Sequence, residues 1–167
     1  MNPSEPLKEA LNKQINREFT SSYNYLAMAA WLETTPYLGF SQWMHRQSEE
    51  ERGHAMKFYT YLNDRDCRIT LTPIAQPKGE FSNLLEVFQD ALVQERRISQ
   101  HIRDLYTLAE KEKDPETLHF LGWFLEEQVE EEKSVSDVID RLKLAGSDPS
   151  ALLQLDAEAA EREESDE

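Results

Sequence analysis

Residues 48–54 read SEEERGH and place a carboxylate, Glu51, three residues before an imidazole, His54. On a helix, an i, i+3 pair shares one face, so both groups can reach one metal ion. A lone Glu-x-x-His arises readily by chance, and an acidic run is usually a solvated face. The neighbouring residues decide between these readings. Glu51 and His54 interrupt an apolar stripe of Phe40, Met44, Gln47, Phe58 and Tyr61 at helical spacing.

Three more stripes carry the same kind of interruption. Glu18 breaks Leu7, Leu11, Ile15, Ser22, Tyr25 and Ala29. Glu95 breaks Leu84, Phe88, Ala91, Ile98, Ile102 and Leu105. Gln128 and Glu131 break Leu118, Leu121, Leu125, Val135, Val138 and Leu142. An unpaired buried carboxylate costs several kcal/mol. No Lys or Arg stands on these stripes as counter-charge; Arg52 projects about 100° away from Glu51 around the helix. A pair of metal ions held by four carboxylates, His54 and Gln128 answers that cost. Hard oxygen ligands with one imidazole suit iron or manganese.

Four long helices must position these groups. Prolines and glycines punctuate the chain near Pro36 and Gly39, Pro73 to Gly79, Pro115, and Gly146 to Pro149. Helices are expected over about 5–34, 38–66, 81–112 and 115–145, with a short fifth near 149–160. The first two and the last two long helices are joined by a few residues and form antiparallel hairpins. Between the hairpins, CRITLTPIAQPKGE has no helical pattern. A helix of ~30 residues is about 45 Å long, and 14–15 extended residues reach about 50 Å. The connection can therefore cross the whole bundle. A single long crossover gives the all-α, ferritin-like four-helix arrangement, here with a short C-terminal fifth helix. The six polar groups then fall at matched depth near the middle of the bundle. The expected domain covers 1–160, followed by a frayed acidic tail, 161–167.

The bulk composition agrees. The 167 residues suffice for one domain with a real core. A net charge of −15 argues against nucleic-acid and anionic-membrane partners and suits collection of cations. A single cysteine, Cys67, permits no intrachain disulfide. No apolar run approaches the roughly 20 residues of a membrane span. The start, MNPSEPLKEALNKQ, lacks a secretory pattern, so a cytoplasmic protein is expected.

The chain resembles the non-haem bacterial ferritins along nearly its whole length. The resemblance is carried by LNKQINREFTSSYNYLAM, SEEERGHAMKFYTYL, ALVQERRISQHI and FLGWFLEEQVEEEKSV. It implies a ferroxidase that oxidises Fe²⁺ with O₂ or peroxide and stores ferric mineral inside a hollow shell of 24 chains. In that reading Glu18 and His54 hold the first iron, Glu51 bridges, and Glu95 and Glu131 hold the second, with Gln128 beside it. Glu50, Glu127 and Glu130 match a third iron site that shares Glu131. Tyr25 matches an electron-donating tyrosine next to the diiron pair. Trp123 matches a nearby tryptophan, although core packing accounts for it more simply.

The fourth helix departs from a fully symmetric site, offering Gln128-x-x-Glu131 where a second Glu-x-x-His would stand. That predicts a weakly held second iron, suited to oxidation and transfer. Arg52 stands where the haem-binding relatives have a methionine, so no haem is expected. Asp114, Glu116 and His119 lie near the family's three-fold pores as exposed groups, but Asp114 before Pro115 fits a helix N-cap better. The alternative function is a ferritin-fold diiron oxidase or peroxidase that stores no iron. A mini-ferritin with intersubunit iron sites and a metal-free structural bundle fit the chain less well.

Overall fold

The structure is a computed structural model in which residues 2–162 are described. Its helices are α1 (Glu5–Leu32), α2 (Leu38–Asp64), α3 (Leu84–Lys111), α4 (Pro115–Ala145) and α5 (Pro149–Ala160). There is no strand among the described residues. None of these helices is long and apolar enough to cross a membrane.

Local chemistry sets the ends. Ser4, Asn83, Asp114 and Asp148 each accept a backbone N–H of the first turn of α1, α3, α4 and α5. Proline follows within the first two helical positions of α1, α4 and α5. Asp66 and Lys113 lie at positive φ just beyond α2 and α3, and Gly146 ends α4 at φ 60°. These caps shorten two of the expected helices. The left-handed turn at Asp66 closes α2 at Asp64 rather than 66. Asn83 starts α3 at Leu84 rather than 81. The first helix also stops early, at Leu32, where Thr34 and Thr35 hydroxyls donate to the Trp31 and Leu32 carbonyls.

α1 packs chiefly on α2, α3 chiefly on α4, and α1 meets α3 across the bundle. The crossover, residues 65–83, follows α1. Asn12 exchanges hydrogen bonds with the Thr70 backbone, and Asn16 donates to the Thr72 and Pro73 carbonyls. Further along, Phe81 meets Trp31 edge-on near the far end of α1. The chain has thus been carried from one end of the bundle to the other before α3 begins, so α3 runs parallel to α2.

Two apolar cores result. One gathers the end of α1, the start of α2, the start of α3 and the end of α4, around Met44, Phe40, Phe88 and Val135. The other gathers the opposite ends, around Leu11, Phe58, Ile102 and Phe124. The polar layer lies between them. On α4 the buried stripe is Thr117, Leu121, Phe124, Gln128, Glu131, Val135, Ile139 and Leu142. Phe124 and Ile139 therefore replace the expected Leu125 and Val138, which are only half-buried.

α5 docks mainly on α2. The N-cap residue of α2, Tyr37, supplies no side-chain bond. Asp156 of α5 does this instead, accepting Gly39 N–H (3.1 Å) and Phe40 N–H (2.8 Å). The approach requires glycine, since a Cβ on Gly39 would lie 1.9 Å from the Asp156 carbonyl oxygen. Of the expected tail, residues 163–167 lie outside the described residues. Arg162 is described and folds back onto α2.

Candidate metal centre

Glu18 comes from α1, Glu51 and His54 from α2, Glu95 from α3, and Gln128 and Glu131 from α4. All six are buried, and Glu18, Glu51 and Glu95 are wholly inaccessible to solvent. Beside them Ser22 Oγ donates to the Ser48 carbonyl and Ser48 Oγ to the Ser22 carbonyl, both at 2.7 Å. These small residues let α1 and α2 approach closely and bring Glu18 against Glu51.

Three groups of ligand-type atoms form, each with its members within 4.8 Å of one another: Glu18, Glu51 and His54; Glu51, Glu95 and Glu131; and His54, Glu127 and Glu131. Glu51 belongs to the first two groups, which is the position of a bridge. His54 Nδ1 lies 3.5 Å from Glu51 Oε2 and 3.8 Å from Glu18 Oε2, while Nε2 faces Glu127 Oε1 at 3.9 Å. Glu127 therefore joins the centre through His54 and Glu131. Glu50 and Glu130 belong to none of these groups. Glu50 receives two hydrogen bonds from Arg162, each 3.2 Å, and Glu130 is exposed.

The carboxylates are oriented from behind. Gln14 donates to Glu18 Oε1 (3.0 Å), and Gln47 donates to Glu51 Oε1 (3.2 Å) and Glu131 Oε2 (2.5 Å). Tyr25 donates its hydroxyl to Glu95 Oε1 at 2.6 Å. Gln128 Nε2 is spent on Glu95 and on Ser99 Oγ (3.1 Å), which leaves its carbonyl oxygen without a partner. Glu18 Oε2, Glu51 Oε2 and His54 Nδ1 are likewise buried without hydrogen bonds. Those three atoms are the free corners of the first group. Buried polar atoms are normally satisfied, so their convergence fits a cation. Trp123 and Phe124 meet the His54 ring edge-on at 5.4 and 5.9 Å and fix its plane.

The charge balance points the same way. Burial raises the Glu51 and Glu131 carboxyls well above the usual range, and neighbouring carboxylates raise them further. Glu95 is pushed up to about 7 by burial, restrained by the bonds from Tyr25 and Gln128. Burial, then Glu95, raises the Tyr25 phenol, which stays protonated. Without a metal the layer holds protons; a cation would displace them.

Several contributors lay outside the ligand set read from sequence: Gln14, Ser99, Phe124, Arg162 and the orienting role of Gln47. The two glutamines had a legible signal, since Gln14–Glu18 and Gln47–Glu51 repeat one i, i+4 spacing. Asp114 is buried rather than exposed: it caps α4 at Thr117 N–H (2.9 Å) and pairs with Arg65 at 3.0 Å. Glu116 and His119 are exposed, as is Arg52.

Comparison with known proteins agrees with this architecture. The family model described as ferritin-like domain matches residues 8–145. The bacterial non-heme ferritin of Staphylococcus saprophyticus is 44% identical over 156 residues, covering 93% of each chain. That of Staphylococcus aureus is 40% identical over 159 residues, covering 95% of this chain and 96% of the relative. The open pore ferritin of the archaeon Archaeoglobus fulgidus superposes with a TM-score of 0.94 at 41% identity, covering 96% of this chain and 98% of its own. With a four-helix bundle, one long crossover and this level of identity along nearly its whole length, the chain belongs to the ferritin-like family, among the bacterial non-haem ferritins.

Proposed function

We propose that this chain is the subunit of a cytoplasmic iron-storage ferritin whose bundle centre is a ferroxidase. Iron is its substrate and cargo. The convergence of three buried atoms that make no hydrogen bond, Glu18 Oε2, Glu51 Oε2 and His54 Nδ1, supports this reading most directly. They form a first site for Fe²⁺. Glu51, Glu95 and Glu131 form the second, with the free Gln128 oxygen as a neutral donor. With one amide in place of a carboxylate and no second imidazole, the second site holds iron less firmly and can release it.

Two Fe²⁺ ions each give one electron to O₂, and with two protons this yields two Fe³⁺ and hydrogen peroxide. Anionic oxygen ligands favour the higher charge of Fe³⁺. Complete reduction to two waters takes four electrons and four protons. Three Fe²⁺ ions and Tyr25 supply the electrons, and the Tyr25 hydroxyl supplies one of the protons. Glu95 Oε1, 2.6 Å from that hydroxyl, is placed to accept its proton. The third iron belongs near Glu127 and Glu131, with Glu50 and Glu130 beside them. Storage follows from assembly of 24 such chains into a shell. Arg52 occupies the haem-methionine position, and the reading includes no haem.

The test is the variant Glu51→Ala with His54→Ala. It removes the bridge and the single imidazole, and its initial Fe²⁺ oxidation rate should fall by more than the roughly 10–100-fold typical of losing a group that only supports a metal ligand. An unchanged rate in assembled protein would refute the site.

A further inference from the structure

The described chain ends with a cation lodged at the edge of the metal centre. Arg162 donates from Nη2 to both oxygens of Glu50 at 3.2 Å and from Nη1 to Gln47 Oε1 at 3.0 Å. Its guanidinium lies 4.4 Å from the Trp43 ring centroid. The ion pair is largely enclosed, with 19% of the Arg162 side chain and 10% of the Glu50 side chain exposed. The contact is built rather than incidental, because α5 is fixed upstream of it. Asp156 caps α2, and Arg46 donates to the Ala160 carbonyl at 2.9 Å.

Both groups that Arg162 holds face the iron layer. Glu50 raises the Glu131 and Glu127 carboxyls by its charge, so it lies within electrostatic reach of both. Gln47 has its oxygen taken by Arg162, which turns its NH₂ group toward Glu51 and Glu131. A planar guanidinium fork suits a carboxylate and an amide oxygen together.

We propose that Arg162 is a tethered cation that competes with the third iron for Glu50, so that the C-terminal end of α5 sets how readily that site fills. The proposal rests on the diiron and third-iron reading above. When Arg162 is seated, Glu50 is neutralised by the chain itself and the third site is weak. When a metal ion takes Glu50, Arg162 leaves and α5 remains anchored through Asp156. Arg162 touches none of the ligands of the first two ions and reaches Glu51 and Glu131 only through Gln47, so their binding depends on it less than that of the third.

The experiment is calorimetric titration of the iron-free assembled protein with Zn²⁺, a redox-silent probe, in the wild type and in Arg162→Ala, Arg162→Lys, Glu50→Gln and the double variant Glu50→Gln/Arg162→Ala. Arg162→Ala should tighten the weakest site about tenfold or more and change the two tighter sites severalfold less than that. Arg162→Lys should fall between, keeping charge but not the fork. In the Glu50→Gln background, Arg162→Ala should change nothing. An unshifted weak site in Arg162→Ala, or equal tightening without Glu50, would overturn the proposal while two tight sites remain. Absence of the two tight sites in the wild type would overturn the diiron reading and this proposal with it.

Discussion

At the residue scale the centre is a set of acids made tolerable by what they face. Glu95 carries a linkage that can be measured. Its carboxyl titrates at about 7 in the fold and near the ordinary 4.5 in the unfolded chain. Between those values the folded state holds more protons, so its contribution to metal-free stability is full below about 4.5 and is lost as pH rises through 7. Glu51 and Glu131 are raised in the same direction and act with the same sign. Glu95→Gln should therefore raise the melting temperature of the metal-free protein more at pH 7.5 than at pH 5, measured by calorimetry. An equal effect at both pH values would mean that Glu95 is not protonated in the metal-free fold. Metal reverses the sign, because binding requires the carboxylates and strengthens as pH rises. The buried polar residues were legible because all four apolar stripes are interrupted by a carboxylate at matched depth, where one interruption alone would carry little. The pairing of Glu50 with Arg162 was not, since an acidic residue beside Glu51 and an arginine in an acidic tail look like ordinary surface charge. Only the return of α5 along α2 brings them together.

At the scale of elements, spacing and caps carried most of the information. The four long helices and the crossover follow from stripe period and connection length. The register of α4 did not. A stripe through Phe124 and a stripe through Leu125 satisfy the same 3.6 period equally well in FLGWFLEE, where Phe120, Trp123, Phe124 and Leu125 are all apolar. Packing selects Phe124, whose ring lies 4.4 Å from that of Phe58 and 5.9 Å from His54. The docking of α5 was also hidden, because the N-terminus of α2 has no capping residue of its own and borrows Asp156. Gly39→Ala tests that docking. The added methyl collides with the Asp156 backbone, so α5 must shift or leave, at a cost of about 1–3 kcal/mol. Amide exchange should quicken across 149–160 and at Gly39 and Phe40, while α3 keeps its protection. Unchanged exchange in α5 would show that this contact does not hold the helix.

At the scale of the whole molecule, the bundle is a rigid frame around one polar layer, with an apolar core on either side. The frame holds four buried carboxylates close together, with no buried lysine or arginine among the described residues. An excess of negative charge over the chain, −15, favours attraction of cations toward it. In the proposed function oxidation and storage are separable, the first assigned to one bundle and the second to the shell. The most direct measurement is aerobic addition of Fe²⁺ to the purified iron-free protein, following Fe³⁺ absorbance and particle size together. The account predicts rapid oxidation that continues well beyond three irons per chain, with mineral retained inside a particle of about 24 chains. Rapid oxidation that stops at about two irons per chain in a small oligomer would contradict storage, and oxidation no faster than in buffer would contradict the metal centre itself.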